Sequence, residues 1–168
     1  MSTANPKTEV TIDPLTEADA GEVMTLQRAA FVSEAQIYGS ADMPPLTQTL
    51  EQVAAELRDS HALGARDGNR LIGAIRYRID GELLLIGRIA VAPDQQGAGI
   101  GRMLLTAAEE RSDAAEAELF TGSLSTANIA LYERCGYVIS ERVSEGDGTE
   151  QVFLRKRLRP GPGSGTRS

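Results

Sequence analysis

Apolar residues recur along this chain with two periods, one typical of helices and the other of strands. Spacings of three and four predict four helices. The first covers Leu15–Phe31, the third runs from Ile100 to about Ser112, and the fourth covers Asn128–Cys135. The second begins at Thr47 or Thr49 and carries the apolar stripe Leu50, Val53, Ala54 and Leu57. Alternating or continuous apolar runs predict seven strands, at Glu9–Ile12, Ala62–Arg66, Leu71–Ile79, Leu83–Val91, Glu116–Gly122, Val138–Val143 and Gln151–Arg157. The predicted element order is β-α-α-β-β-β-α-β-α-β-β.

This order predicts an α/β (α+β) fold with a mixed, mostly antiparallel central sheet of about seven strands and helices on both faces. Asp67-Gly68 and Asp80-Gly81 are hairpin signals, so three consecutive strands should be antiparallel. The later strand-helix-strand crossover, from Leu83–Val91 to Glu116–Gly122, requires parallel pairing if its two strands are neighbours. The nearly continuous apolar run Leu83–Val91 is typical of a central strand, and Gly87 within it suggests a bulge or a close approach of another backbone.

A single domain is expected over residues 8–158 of the 168. The first segment, "MSTANPK", is polar, and the last is rich in Pro, Gly and Ser. We therefore expect residues 1–7 and 159–168 to be flexible ends.

Charge and cysteine content narrow the class of protein. A net charge of −7 argues against nucleic acid as a partner, because binding nucleic acid requires the neutralisation of phosphates. The one cysteine, Cys135, excludes an intrachain disulfide and fits a reducing compartment. No apolar stretch approaches the ~20 residues that span a bilayer, so no membrane partner is expected. The predicted location is the cytoplasm.

Three glycines, Gly97, Gly99 and Gly101, follow the buried strand and open the next helix in "VAPDQQGAGIGRMLL". Glycines at a helix N-terminus let an anion approach free N–H groups, which predicts a phosphate or pyrophosphate cradle. The alternative is a tight strand-to-helix turn without a ligand. The sequence does not match two known phosphate-binding motifs, the P-loop and the dinucleotide-binding fingerprint. Arg102-Met103 replaces the Lys-Ser/Thr of a P-loop, and the dinucleotide fingerprint lacks its third glycine.

The spacing Gln96-x-x-Gly99-x-Gly101, after "RIAVAPD", resembles the acyl-CoA-binding motif of the GNAT N-acetyltransferase superfamily. A second segment, "NIALYERCGY" (128–137), is similar to the other signature of that superfamily. The resemblance extends from about Glu9 to Leu158, includes the element order, and implies a GNAT-like fold.

The resemblance implies a wedge beside the strand that precedes the glycines, with pantetheine in the wedge and pyrophosphate on the glycine loop. The residues it implies for acetyl-CoA binding are Ile89, Ala90, Val91, Gln96, Gly97, Ala98, Gly99, Ile100, Gly101, Arg102, Asn128 and Tyr132. Each of three side chains has another interpretation. Arg102 could be an ordinary surface residue of the first helical turn, Asn128 a helix N-cap, and Tyr132 a core aromatic with a polar tip.

The implied activity is acetyl transfer from acetyl-CoA to a primary amine by direct attack, without a metal. Tyr132 would protonate the leaving thiolate. Family members often carry a carboxylate on the central strand, but Leu83–Ile86 are apolar here and only Glu82 precedes them. Glu34, Tyr38 and Met43 lie where the family forms its acceptor pocket. Glu34 could equally be a solvated charge at a helix end.

The acceptor is expected to be an amine, a small molecule in preference to a peptide. The missing strand carboxylate leaves a second hypothesis open, a non-catalytic acyl-CoA-binding or sensor domain. A nucleotide-binding protein is a third hypothesis, and the two failed motifs count against it. Dimerisation is common in the family, so a second copy of the chain is an expected partner.

Overall fold

The computed structural model describes residues 9–159. Seven strands form one sheet: β1 (Val10–Pro14), β2 (His61–Asp67), β3 (Arg70–Asp80), β4 (Leu83–Val91), β5 (Glu116–Gly122), β6 (Val138–Ser144) and β7 (Glu150–Arg157). Six helices accompany them: α1 (Ala20–Ala30), α2 (Val32–Tyr38), α3 (Pro44–Thr47), α4 (Leu50–Asp59), α5 (Ile100–Glu110) and α6 (Thr126–Arg134). Apart from Arg159, the two ends predicted to be flexible lie outside the described residues.

The sheet order is β1-β2-β3-β4-β5-β7-β6, which makes β4 the central strand. All neighbouring pairs are antiparallel except β4 and β5, whose pairing is parallel. The predicted mixed, mostly antiparallel sheet of seven strands is therefore confirmed. The predicted bulge is also confirmed, because Arg76 and Tyr77 of β3 pair with Arg88 and Ile86, which leaves Gly87 as the extra residue.

Helices cover both faces of the sheet. Ala74 and Ala90 face a small cavity that Val23 of α1 and Leu57 of α4 also line. On the opposite face, a Cβ at Gly73 would lie 2.7 Å from Ile100 of α5. Buried Leu104 and Leu105 of α5 extend the core on that side. Neighbouring residues of a strand direct their side chains to opposite faces of the sheet, so Gly73 and Ala74 face opposite sides. The prediction that helices cover both faces is therefore confirmed.

The connection from β1 to β2 differs from the prediction of two helices, because it contains four helical segments. The predicted start at Leu15 was too early, since Thr16 caps a 3₁₀ turn at Glu17–Asp19 and α1 begins only at Ala20. The one-turn helix α3 begins at Pro44, where a missing N–H costs nothing. Thr49, with Gln52, forms the capping box of α4.

Among residues 9–159, no helix combines the length and the apolar character that crossing a membrane requires.

Candidate active site

A wedge opens between β4 and β5 in the middle of the sheet. The parallel pairing joins Leu83–Leu85 to Glu116–Glu118 and ends there. Beyond that point β4 continues to Val91 paired with β3 alone, while β5 continues to Gly122 paired with β7 alone. The two central strands therefore present facing edges that lack a backbone partner.

The unpaired edge of β4 carries backbone hydrogen-bonding groups at alternate residues. The N–H of Ala92 donates to the carbonyl oxygen of Ile72 in β3 at 2.8 Å. In an antiparallel ladder this direction alternates, so Ala90 also faces β3, whereas Ile89 and Val91 direct their N–H and C=O groups into the wedge. The Gln96 side chain donates to the Val91 carbonyl oxygen at 3.4 Å, across the mouth of the wedge.

The glycine loop lies at the end of this edge. Gly97 and Gly99 have φ values of +86° and +88°, which only glycine adopts without strain. Gly99 is the N-cap of α5, and no side chain caps this helix. The first intrahelical bond runs from Met103 N–H to the Gly99 carbonyl oxygen. The N–H groups of Ile100, Gly101 and Arg102 therefore precede it and remain available to an anion.

Helix α6 packs against the start of α5. A Cβ at Gly101 would lie 3.2 Å from Cδ2 of Leu131, so the third glycine permits the close approach of the two helices. The Arg102 guanidinium donates to the Arg134 carbonyl oxygen at the end of α6, at 3.3 Å. The exposed Arg102 side chain is thus attached to the helix junction beside the glycine loop.

Helix α6 carries Asn128 and Tyr132 four residues apart, hence on one face. The N-cap of α6 is Ser125, so the interpretation of Asn128 as an N-cap is wrong; Asn128 is the third residue of the helix and half-buried. Tyr132 is 8% exposed and packs edge-to-face against Tyr137, with ring centroids 6.4 Å apart.

The phenol of Tyr132 keeps its proton at neutral pH. Burial, and then the negative charge of Glu34, raise its pKa well above the ordinary value. Its hydroxyl makes no hydrogen bond within residues 9–159. Every fully enclosed side-chain N or O atom in this part of the chain has a partner, so this hydroxyl is not completely enclosed, although the residue as a whole is buried.

Two of the three residues predicted for the acceptor pocket meet the loop before α6. Tyr38 OH lies 2.7 Å from Ser125 Oγ and accepts the Leu124 N–H at 3.1 Å. Ser125 Oγ also donates to Glu34 Oε1 at 2.6 Å. Met43, half-buried ahead of α3, makes no hydrogen bond to this group through its side chain, and its role stays a prediction.

Ser125 and Gly122 are site residues that sequence reasoning missed. Ser125 is 2% exposed, and its hydroxyl does not cap its own helix. A Cβ at Gly122 would lie 2.1 Å from Tyr38 OH, so only glycine leaves room for this ring at the end of β5. A serine one residue before a helix normally caps that helix, so the sequence pattern did not indicate that Ser125 bonds to Glu34 and Tyr38 instead.

A second missed group, which we call the Glu56 cluster, consists of Glu56, Arg76, Arg88, Gln27 and Gln48. Arg88 donates to Gln48 Oε1 at 3.0 Å and to the oxygens of Gln27 and Glu56 at 3.4 Å, while Arg76 also donates to Glu56. Burial, and then the charge of Arg76, lower the pKa of Arg88. Two arginines at paired positions of apolar strands were the signal available in the sequence.

An open cleft of about 560 Å³ adjoins this cluster where β4 and β5 diverge. Its floor includes Gly87 of β4 and Glu118 of β5, and aromatic rings of Tyr77, Phe120 and Phe153 line it. The Phe120 and Phe153 rings lie 5.3 Å apart, and Phe120 is 52% exposed. The cleft gives a small organic molecule an approach to the point at which the wedge begins.

Comparison with known proteins points to one family. The profile of the acetyltransferase (GNAT) family matches residues 22–137. The UPF0157 protein YqkA of Bacillus subtilis (strain 168) is 31% identical over 130 residues, which cover 77% of this chain and 37% of that protein. This chain therefore spans little more than a third of that relative's length.

Two solved structures share the fold. The protein smu.2055 from Streptococcus mutans UA159 has a TM-score of 0.75 and 18% identity, over 89% of this chain and 99% of that one. The PaiA N-acetyltransferase from Thermoplasma acidophilum, in complex with coenzyme A, has a TM-score of 0.72 and 19% identity, over 88% and 98%.

Proposed function

Because this chain belongs to the acetyltransferase (GNAT) family, we propose that it transfers an acetyl group from acetyl-CoA to the nitrogen of a primary amine. The observation that carries the proposal is the wedge: an unpaired β4 edge that ends at an uncapped helix N-terminus, against which α6, the helix of Tyr132, packs. A small-molecule amine is the favoured acceptor, because the cleft beside the wedge suits a small ligand and its lining includes the acidic side chains of Asp59 and Glu118.

The wedge fits the parts of acetyl-CoA by chemistry. Backbone groups of Ile89 and Val91 would pair with the pantetheine amides, since such groups need partners when buried. The free N–H groups of Ile100, Gly101 and Arg102, with the Arg102 charge, would hold the pyrophosphate, whereas the Ala98 N–H already donates to the Gln95 carbonyl oxygen at 3.3 Å. Asn128 would bond the pantetheine arm. Ala90 would contribute packing only, because its backbone faces β3.

Acetyl-CoA supplies an acetyl group that is activated as a thioester. Residues of this chain would stabilise the charge that develops during transfer and would protonate the leaving sulfur. A wedge-facing backbone N–H, such as that of Ile89, would stabilise negative charge on the carbonyl oxygen. Tyr132 would donate its proton to the departing sulfur, for which its raised pKa keeps the proton in place.

The test is acetyl transfer to a broad panel of primary amines, detected by product mass, with Tyr132→Phe and Tyr137→Phe as a matched pair. Tyr137 is buried nearby and donates to Glu109 instead of reaching the wedge. Tyr132→Phe should lower kcat by about 10²-fold or more and preserve thermal protection by acetyl-CoA. Tyr137→Phe should leave kcat within about twofold of wild type.

Unchanged kcat in Tyr132→Phe would remove this residue from the mechanism. Thermal protection by acetyl-CoA without transfer to any amine would favour a non-catalytic acyl-CoA-binding domain. That second candidate rests on Leu83–Ile86, where the central strand carries no carboxylate. The absence of both protection and transfer would show that the wedge does not bind acetyl-CoA.

A further inference from the structure

Three oxygen-bearing side chains, Glu34 and Tyr38 of α2 and Ser125 ahead of α6, form a directed hydrogen-bond series, which we call the Ser125 relay. A carboxylate only accepts, so Ser125 uses its single hydroxyl proton on Glu34 Oε1. Tyr38 must therefore be the donor in its 2.7 Å contact with Ser125 Oγ. Tyr38 accepts in turn from the Leu124 N–H. The direction of every bond follows from the donor inventory alone.

The local structure is adapted to this relay at a cost to ordinary helix capping. The Ser125 hydroxyl leaves the N-terminus of its own helix without a side-chain cap and turns to Glu34 and Tyr38. Position 122 is a glycine, and any Cβ at this position would displace the Tyr38 hydroxyl. Ser125 is also almost completely buried, so the hydroxyl that fixes Glu34 is held in one place.

The relay leaves one oxygen of Glu34 free. Oε1 accepts from Ser125, and within residues 9–159 no hydrogen bond reaches Oε2. The carboxylate is half-buried, and its hydrogen bond with the N-cap residue of α6 places it at the start of the helix that carries Tyr132. Its negative charge contributes to the raised pKa of Tyr132. A fixed carboxylate with one free oxygen thus lies at the N-terminus of α6, the helix that carries the predicted proton donor Tyr132, and β4 has no carboxylate that could serve instead.

We propose that Glu34 is the general base that deprotonates the acceptor amine, and that Ser125 and Tyr38 are positioning residues that hold its carboxylate toward the wedge. The inference rests on the proposed acetyl transfer and assigns the base that the sequence left open.

The proton balance is complete with these groups. An acceptor that arrives as an ammonium loses two protons for each acetyl group it receives. Glu34 Oε2 takes the first, which frees the nitrogen electron pair to form the C–N bond at the carbonyl carbon. The C–S bond breaks with its electron pair on sulfur, which takes the Tyr132 proton. The second nitrogen proton restores the Tyr132 hydroxyl, and Glu34 releases the first proton to solvent.

The experiment uses the full chain, acetyl-CoA and the best amine found in the panel, and measures kcat and both KM values. Glu34→Gln keeps the size of the side chain and should lower kcat by about 10²-fold at neutral pH. Ser125→Ala and Tyr38→Phe should lower kcat roughly three- to tenfold, the equivalent of one hydrogen bond. The KM for acetyl-CoA should not change in any of them.

Ser123→Ala is the matched control, because this hydroxyl lies in the same loop and accepts from Glu150 N–H outside the relay. It should leave kcat unchanged. A second readout is pH. Above the pKa of the acceptor the amine arrives neutral, so the Glu34→Gln defect should shrink toward the wild-type rate. A merely structural role would leave the same defect at every pH.

Glu34→Gln with kcat within about twofold of wild type would overturn the inference while the proposed function stands. A kcat loss that persists unchanged above the acceptor's pKa would also overturn it. If the wild-type protein acetylates no amine, the proposed function itself is wrong, and the relay has no acceptor to serve. Tyr38→Phe keeps the ring on Gly122, so it tests the relay even where Ser125→Ala fails to fold.

Discussion

The contact between Gly122 and Tyr38 joins β5 to α2, and its energetic value can be worked out from the structure. In Gly122→Ala the new Cβ would lie 2.1 Å from Tyr38 OH and 2.6 Å from its Cζ, so the ring must move. The hydroxyl then loses its bonds to Leu124 N–H and Ser125 Oγ. Two hydrogen bonds are worth about 1–3 kcal/mol together.

A smaller opposing effect comes from the unfolded chain. Alanine lowers the conformational entropy of the unfolded chain, which stabilises the folded protein by about 0.4–1 kcal/mol where the backbone conformation suits alanine. Gly122 is such a position, because its φ is not positive. The net destabilisation of Gly122→Ala should therefore be about 1–2 kcal/mol. For a chain of this size that lowers Tm by about 2–8 °C.

The assay is a double-mutant cycle with Tyr38→Ala, measured by urea unfolding. Tyr38→Ala removes the ring that collides with the Cβ, so only the unfolded-state effect remains and Gly122→Ala should stabilise that background by about 0.4–1 kcal/mol. The coupling energy should therefore be about 1–3 kcal/mol. Gly21→Ala is the matched control. Gly21 lies exposed in α1 with no atom within 4 Å of its would-be Cβ, and alanine there should stabilise by about 0.5 kcal/mol. A Gly122→Ala protein as stable as wild type would refute the packing argument.

Two further predictions concern charge. Glu56→Gln leaves the guanidinium of Arg88, 17% exposed, without its carboxylate and should cost about 2 kcal/mol. Glu17→Gln breaks an ion pair with Arg58 in which both side chains are more than half exposed, so it should cost much less. Equal urea midpoints for the two variants would contradict this difference. The Arg70 guanidinium, as the main cause, lowers the pKa of Asp94 from 3.8 to about 2. A lowered pKa in the folded state stabilises above pH 3.8 and loses this contribution as pH falls toward 2. NMR titration of the Asp94 carboxyl should show the low midpoint, and Arg70→Gln should return it to the ordinary range; an unshifted wild-type midpoint would disprove the pairing.

The sheet was largely predictable because its signals are local. The bounds of β4 and β5 agree with the prediction. For β4 the reason is that an apolar run between Asp80-Gly81 and Pro93 has few alternatives to a strand. The parallel β4–β5 pair followed from the intervening helix. The helical segments α2 and α3 were not predicted, because helices of one or two turns are too short to show a clear periodicity and depend on contacts made elsewhere.

The site was predictable only where a motif identifies it. The glycine loop and Tyr132 each lie in a contiguous signature, and the structure packs α6, which carries Tyr132, against the start of α5 beside that loop. Their roles stay predictions. The bonds that join Tyr38 and Glu34 to Ser125 span 87 and 91 residues, and no local pattern encodes such a pairing. The Glu56 cluster was missed for the same reason, as its members come from α1, α4 and two strands and lie together only after folding.

The three-residue seam between β4 and β5 also bears on how the molecule opens. It divides the sheet into an N-terminal unit, β1 to β4, and a C-terminal unit, β5 to β7, each antiparallel within itself. Amide hydrogens along the seam depend on few interstrand bonds, so they should exchange with solvent through subglobal separation of the two units before the strands within either unit come apart. A ligand that fills the wedge touches both units and raises the free energy of that opening. Slowed exchange at the seam would then report occupancy of the wedge from a part of the backbone that the ligand does not contact.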